Sequence, residues 1–199
     1  MSKIRTNAFT LVELLLALAL AGVVILGFTS LDTFGRFQVM TTDRLAKAQN
    51  ELTLVADHMS KQVSKGIGNE VLFGIRTVAR SDPIIPYTAL RVYADMNNNG
   101  VRDDVWIAYR WRDSGADAYQ VQYCSQCQNV NCNNCNTGWQ IISGNVSFFQ
   151  PTYFSGDNFA EVTVEACWDP ANATYPCGEP RNPRAEATFD IKMPSVSLN

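Results

Sequence analysis

The six cysteines are the residues of this 199-residue chain with the clearest capacity for chemistry, and all of them lie beyond residue 120. Thiolates can bind zinc, and paired thiols can oxidise to disulfides. The first four have the spacing C-x2-C-x4-C-x2-C, too close for a zinc ribbon, which needs about 15 to 20 residues between its pairs. Neither pair precedes the His of a haem attachment site. Disulfides are therefore favoured, with zinc and redox chemistry as alternatives, for Cys124, Cys127, Cys132, Cys135, Cys167 and Cys177.

The pairing of these cysteines is only partly indicated by their order. The first four allow three connectivities, so neighbouring and nested bridges both stay open. Cys167 and Cys177 flank a loop containing Pro and Asn, and we expect a bridge that staples its ends. A bridge across such a loop stabilises a fold by about 2 to 4 kcal/mol. Disulfides also indicate that this half of the chain folds outside the cytoplasm.

Oxygen-bearing side chains alternate in the segment 95–104, DMNNNGVRDD. Alternation lets them converge on one cation, and Gly100 permits a sharp turn, as in loops that bind calcium. We expect a structural calcium ion held by Asp95, Asn97, Asn99, the Val101 carbonyl, and Asp103 or Asp104. Trp106 stands where such a loop usually has a closing acid, and the flanks resemble strands. A metal-free hairpin is the alternative, because Asn-Gly favours a tight turn.

No combination of residues indicates an enzyme. A hydrolase or transferase needs a nucleophile with an oriented base, and the only histidine, His58, lies within a helical pattern. The sequence has no phosphate-binding Gly loop and no dinucleotide fingerprint. With 16 Lys and Arg against 19 Asp and Glu, the net charge is −3 and no run of one sign suggests nucleic acid. We expect no catalytic activity, no organic cofactor and no nucleic-acid partner.

The amino-terminal segment is typical of a membrane anchor. Residues 1–8 are polar and carry Lys3 and Arg5, and the apolar run 9–31 that follows contains one charge, Glu13. A helix over this run is long enough to cross the hydrocarbon core, about 30 Å thick. The leading positive charges place the amino terminus in the cytoplasm and the rest outside. A signal peptide cut after Ala21, before Gly22, is the competing interpretation, and it would release a calcium-dependent binding module.

Residues 7–15, NAFTLVELL, resemble the leader of type IV prepilins, in which a small residue precedes Phe-Thr-Leu-x-Glu. The resemblance implies that a prepilin peptidase cuts between Ala8 and Phe9 and methylates the new Phe9 amine. Ala8 departs from the usual Gly. The resemblance also implies that Glu13 pairs with the Phe9 amine of a neighbouring subunit and sets the axial register. The other role for Glu13 is a capping box with Thr10, and both can hold at once.

The spacing of apolar residues predicts the helix and strands that position these residues. No Pro interrupts residues 9–65, and apolar residues recur three or four apart at Leu45, Ala48, Leu52, Val55, Met59 and Val63, so one long helix ending at Gly66 and Gly68 is predicted. Short runs rich in β-branched and aromatic residues follow, separated by turn formers, which predicts an antiparallel sheet. The predicted strands are 71–75, 87–94, 105–111, 118–123, 146–154, 160–167 and 185–193.

The predicted fold class is α+β, a long amino-terminal helix packed on an antiparallel β domain, as in pilins. The expected regions are a cleaved leader (1–8), a transmembrane and assembly part of the helix (9–31), an amphipathic part (32–66) and a globular β domain (67–199). That domain contains the calcium-type loop 95–104 and the Cys-rich loop 124–135.

Within the type IV pilin class, the chain most resembles PilW-type minor pilins in residues 52–67, where a helix leads into a Gly-containing turn and strands. This implies a minor pilin that initiates or joins pilus assembly, with other pilins, the prepilin peptidase and the inner membrane as partners. A J-type minor pseudopilin of a type II secretion system is the alternative. The implied location is a single-pass inner-membrane protein with a periplasmic domain, then a pilus filament or a periplasmic pseudopilus.

Overall fold

The computed structural model describes residues 10–66, 75–78, 88–94, 105–127, 132, 134–154 and 159–192. These fall into two units, one up to Thr42 and one from Asp43 onward. In the described residues, the chain forms one α-helix, α1 (Leu11–Val63), followed by β-strands only.

Helix α1 ends just before Gly66, as the sequence predicted. The amide of Gly66 donates to the Val63 carbonyl at 2.8 Å, and the amide of Lys65 donates to that of Gln62 at 3.2 Å. Gly66 then forms an isolated antiparallel bridge with Ala94. The last turn is therefore tightened by three-residue hydrogen bonds, as helix ends often are. Gly68 lies outside the described residues.

The second unit begins with the carboxyl-terminal part of α1, which presents one buried stripe. Its buried residues are Ala48, Leu52, Val55, Met59 and Val63, and only Leu52 retains measurable exposure, 6%. Steps of three and four place them on one face of a helix. This is the predicted stripe, except that Leu45 is only half-buried.

Five strands form the first sheet, antiparallel and in sequence order. In the β2–β3 register Thr88 lies opposite Trp111 and Ala94 opposite Val105. Alternate residues such as Leu90, Val92 and Ile107 join the core. The strands are β1 (Ile75–Val78), β2 (Thr88–Ala94), β3 (Val105–Trp111), β4 (Val121–Cys127) and β5 (Gln140–Ser143).

Three strands form the second sheet, in the order β6 (Val146–Phe154), β7 (Phe159–Cys167) and β8 (Arg184–Lys192). Along β7 burial alternates, with Ala160, Val162, Val164 and Ala166 fully buried. A sheet with one face on the core and one in water gives this alternation. Pro151 lies in β6, an edge strand of this sheet among the described residues, where a missing amide donor is tolerated.

One hydrophobic core joins the helix stripe to the inner faces of both sheets. Tyr109, Phe149 and Met59 are the largest of its fully buried side chains. The predicted α+β class, a helix packed on antiparallel β structure, is confirmed. The β structure is divided into two sheets, whereas the sequence predicted one.

The strands differ most from prediction at β1, β4 and β5, whereas the described boundaries of β7 and β8 differ by one residue. The first predicted strand, 71–75, shares only Ile75 with β1, which continues to Val78. Residues 71–74 lie outside the described residues. Strand β4 starts at Val121 rather than 118, because residues 116–119 form a turn that ends with Tyr119 at φ 61°. Strand β5 was not predicted, because it has only four residues and is largely exposed.

Candidate assembly segment and disulfide-bonded loops

Thr10 and Glu13 cap the amino-terminal end of α1. Oε2 of Glu13 accepts hydrogen bonds from the amide and from Oγ1 of Thr10, both at 2.9 Å, and the Glu13 amide donates to Thr10 Oγ1 at 3.3 Å. These reciprocal bonds form a capping box, which satisfies donors that the first helical turn leaves without partners. The capping role of Glu13 is therefore present. Ala8 and Phe9, the predicted cleavage and methylation residues, lie outside the described residues.

The first 21 residues of α1 present an apolar surface. Every large aliphatic or aromatic side chain from Leu11 to Leu31 has between 55% and 75% of its surface exposed. By length and composition α1 can cross a membrane. Leucine, valine and phenylalanine side chains in such number favour lipid or neighbouring helices over water.

Polar groups in this part of α1 are satisfied within the helix. Thr29 and Ser30 donate their hydroxyls to the Leu26 carbonyl at 3.0 and 2.9 Å, and Thr33 donates to that of Thr29 at 2.8 Å. Hydroxyls bonded in this way are tolerated at membrane depth. An exposed ion pair, Asp32 to Arg36 at 3.0 Å, follows the apolar run.

A model of the prokaryotic N-terminal methylation motif matches residues 4–29. The chain carries a prepilin-type leader. The match spans the predicted cleavage site, Glu13 and most of the apolar surface. It supports a type IV pilin-like protein, a pilin or pseudopilin, that is processed by a prepilin peptidase, anchored in a membrane and assembled with other pilins. No curated protein and no solved structure matches the chain.

The predicted calcium loop falls between strands β2 and β3. Its ligands, Asp95, Asn97, Asn99, Val101, Asp103 and Asp104, all lie outside the described residues. The described ends of the segment are Ala94, the last residue of β2, and Val105, the first of β3. These two residues lie opposite each other in the antiparallel register, so the segment connects adjacent strands.

The first four cysteines form nested disulfides, with Cys124–Cys135 outside Cys127–Cys132. Cys127 and Cys135 also form an isolated backbone bridge, and the Asn136 amide donates to the Gln126 carbonyl at 2.9 Å. Cys135 and Asn136 therefore lie beside the end of β4. The sulfur atoms of Cys124, Cys127 and Cys132 lie within 4.8 Å of one another. Each is bonded to another sulfur, so in this state none is the thiolate that zinc binds.

The nested disulfides belong to a second, smaller hydrophobic cluster. Ala108 and three of the cysteines are buried there, and Trp106 and Trp139 pack against them. The Arg110 guanidinium lies 3.9 Å from the centre of the Trp139 ring and donates to Gln122 Oε1 at 2.7 Å. The disulfides thus supply apolar contacts to a region separate from the main core.

Cys167 and Cys177 are bonded as predicted from their flanking positions. The loop they close is organised by Asn182, a buried residue that was not among the predicted sites. Its Nδ2 donates to the carbonyls of Asp169 and Tyr175, each at 2.8 Å, and its Oδ1 accepts from the Asp169 amide at 2.9 Å. Nothing in the local sequence distinguishes Asn182 from an ordinary turn asparagine.

His58 lies in an aromatic cluster between α1 and the first sheet. Its Nδ1 is 2.9 Å from the Tyr109 hydroxyl, and its ring meets that of Tyr123 edge-on with centroids 4.7 Å apart. Burial lowers the pKa of His58 and raises the pKa of both tyrosines. These shifts favour the neutral forms of all three groups, which suits packing between elements.

Proposed function

We propose that this protein is a minor pilin, a subunit that initiates or joins assembly of a type IV pilus after cleavage and N-methylation at Phe9. The observation that carries the proposal is the methylation motif at residues 4–29 joined to a capped, exposed apolar helix. Lipid would cover this surface before assembly, and the helices of other subunits would cover it afterwards. In this role the protein is not an enzyme.

The minor role and the PilW-like subtype are supported by the second unit. Three disulfides and two sheets give a globular part with two stapled loops available for specific contacts. This elaboration suits a subunit with its own recognition surface. The resemblance of residues 52–67 to PilW-type chains points the same way.

The first experiment is sequencing of the mature amino terminus. The proposal predicts a methylated Phe9 on a membrane-bound product. A soluble product that starts at Gly22 would instead identify a signal-peptidase substrate and would overturn the proposal.

Glu13 offers a sharper test, because its two roles respond differently to substitution. Gln at this position retains a side-chain acceptor for the Thr10 capping box but removes the charge. If Glu13 pairs with the Phe9 amine of a neighbour, Glu13→Gln and Glu13→Ala should both lower incorporation into filaments while leaving membrane insertion intact. Wild-type incorporation of Glu13→Gln would restrict Glu13 to capping.

Deletion of the gene distinguishes the pilus from the secretion pseudopilus. Loss of surface pili with normal protein secretion is the expected result. Loss of secreted enzymes with normal pili would assign the chain to the J-type pseudopilin alternative.

We also propose that the loop 95–104 binds a structural calcium ion, supported by its ligand pattern and by its position between paired strands. A chelator should lower the melting temperature of the wild-type protein but not that of Asp95→Ala. Identical melting of wild-type protein with chelator and with added calcium would refute calcium binding.

A further inference from the structure

A cluster of cations and aromatic rings surrounds Trp168 in the second unit. The Lys47 ammonium lies 4.3 Å and the Arg44 guanidinium 5.5 Å from the centre of the Trp168 ring. Arg44 also donates to the Arg181 carbonyl, and the Arg181 guanidinium lies 5.0 Å from the centre of the Tyr175 ring. We call these five residues the Trp168 basic patch.

The patch holds three positive charges that form no ion pair with a described residue. Among the described residues, no carboxylate lies within 4.0 Å of Arg44, Lys47 or Arg181, whereas Arg36, Lys61, Arg110 and Arg184 each form an ion pair. The rings hold these side chains against one surface, which reduces the entropy lost when an anionic partner binds. The patch therefore suits a partner that carries several carboxylates or phosphates.

The outer face of the second sheet has an excess of carboxylates, although Arg184 and Lys192 also lie on it. Glu161 lies directly opposite Asp190, and Glu165 lies directly opposite Glu186, in the β7–β8 register. Like charges in directly opposed positions destabilise a sheet. Arg184 offsets one of them through its ion pair with Glu165 at 3.3 Å. Glu161, Glu186 and Asp190, which we call the β8 acidic face, form no ion pair with a described residue.

We propose that the Trp168 basic patch of one copy docks onto the β8 acidic face of a second copy. Three cations meet three carboxylates, and the contact would relieve the cross-strand repulsion that the isolated chain retains. Because the two surfaces are different parts of one unit, the contact joins unlike surfaces of the two copies. The inference rests on the proposed function and adds to it a contact between the globular parts of two copies.

An anionic membrane is the other partner class that a basic patch could serve. The observations favour a second copy, because the same chain carries the complementary surface. A membrane would leave the like-charge pairs of β7 and β8 without a counter-charge. Reversing the charges on both surfaces distinguishes the two partners, because it should restore binding to a second copy but not to an anionic membrane.

The test measures self-association of the mature chain, from Phe9 onward, by sedimentation in a non-ionic detergent. Lys47→Glu with Arg181→Glu should weaken self-association roughly tenfold or more, since several attractive pairs become repulsive. Glu186→Lys with Asp190→Lys should weaken it similarly. The chain with all four substitutions should recover most of the affinity, because its two surfaces are complementary again.

A matched control is Lys61→Glu with Lys65→Glu, which changes the net charge as much as the patch variant but lies outside both surfaces. This control should associate like the wild type. Equal weakening by the control, or failure of the fourfold variant to recover, would overturn the proposal. So would a patch variant that loses binding to phosphatidylglycerol vesicles while its self-association stays unchanged, which would assign the patch to lipid.

Salt provides a readout that needs no variant. Raising the ionic strength from about 0.1 M to about 1 M shortens the screening length from about 10 Å to about 3 Å and should weaken wild-type self-association. Association that is insensitive to salt would arise from the apolar helix and would refute the docking. Because filament incorporation is measured separately, loss of this contact and loss of the pilin role remain distinguishable.

Discussion

Removal of the Cys167–Cys177 disulfide should destabilise the second unit by a predictable amount. The bond joins residues ten apart in the sequence. In the chain-entropy model, closing a loop of about ten residues lowers the entropy of the unfolded chain by about 9 cal/mol/K. This stabilises the folded state by about 2.7 kcal/mol at 25 °C. Cys167 is fully buried, so its replacement by alanine adds only the loss of one sulfur atom's contacts. We therefore expect Cys167→Ala with Cys177→Ala to lower the free energy of unfolding by about 2 to 3.5 kcal/mol.

Urea unfolding followed by tryptophan fluorescence is the appropriate assay. All four tryptophans lie between residues 106 and 168, so the signal reports the second unit and not the apolar helix. The full-length chain is kept in a non-ionic detergent. The midpoint should fall while the denaturant slope changes little, unless the reduced chain also exposes more surface when unfolded.

The nested pair provides the comparison. The Cys127–Cys132 bond lies inside the loop already closed by Cys124–Cys135. A five-residue separation alone would stabilise the fold by about 2 kcal/mol. Removal of this inner bond should therefore lower the free energy of unfolding by less than that amount. A loss below about 1 kcal/mol for the Cys167 and Cys177 double variant would refute the reasoning. It would mean that the loop gains conformational freedom in the folded state when the bond is removed, despite the hydrogen bonds of Asn182.

Three further predictions concern stability. Met59→Ala should lower the free energy of unfolding by about 2 to 5 kcal/mol because Met59 is fully buried, whereas Leu54→Ala on the exposed side of the helix should change it by less than about 0.5 kcal/mol, both measured by urea titration. Asn182→Ala should cost about 2 to 3 kcal/mol in the same assay, because it removes three hydrogen bonds and leaves the Asp169 amide without one of its partners. The pKa of His58 is lowered by burial from its ordinary 6.5, so acidification below about pH 6.5 should lower the melting temperature of the wild type more steeply than that of His58→Gln, and parallel curves would contradict this.

Local sequence predicts the helix well because its signals are local. The spacing of Leu52, Val55 and Met59 defines the buried face, and Thr10 with Glu13 defines the start. Each signal involves residues within four positions of one another, which is the range over which helical hydrogen bonds and side-chain contacts act. The same holds for the termination at Gly66.

Features that depend on distant residues were not predicted. The division into two sheets follows from which strands pair, and the nested disulfides follow from the placement of Cys135 beside the end of β4. The Trp168 basic patch brings Arg44 to Arg181 across 137 positions in the sequence. No periodicity encodes such a contact, because it exists only once the core has placed α1 beside the loop after β7.

Capping and subunit pairing by Glu13 are compatible because they can use different atoms of one carboxylate. Both hydrogen bonds from Thr10 go to Oε2, and Oε1 accepts none from a described residue. A carboxylate at this depth is costly unless it is paired and hydrogen-bonded. The capping box holds the side chain in one orientation, so a neighbouring amine would meet a fixed acceptor rather than a mobile one. We therefore expect Thr10→Ala, which removes the two hydroxyl hydrogen bonds of the box but keeps the charge, to lower filament incorporation less than Glu13→Gln. The reverse order would show that capping dominates.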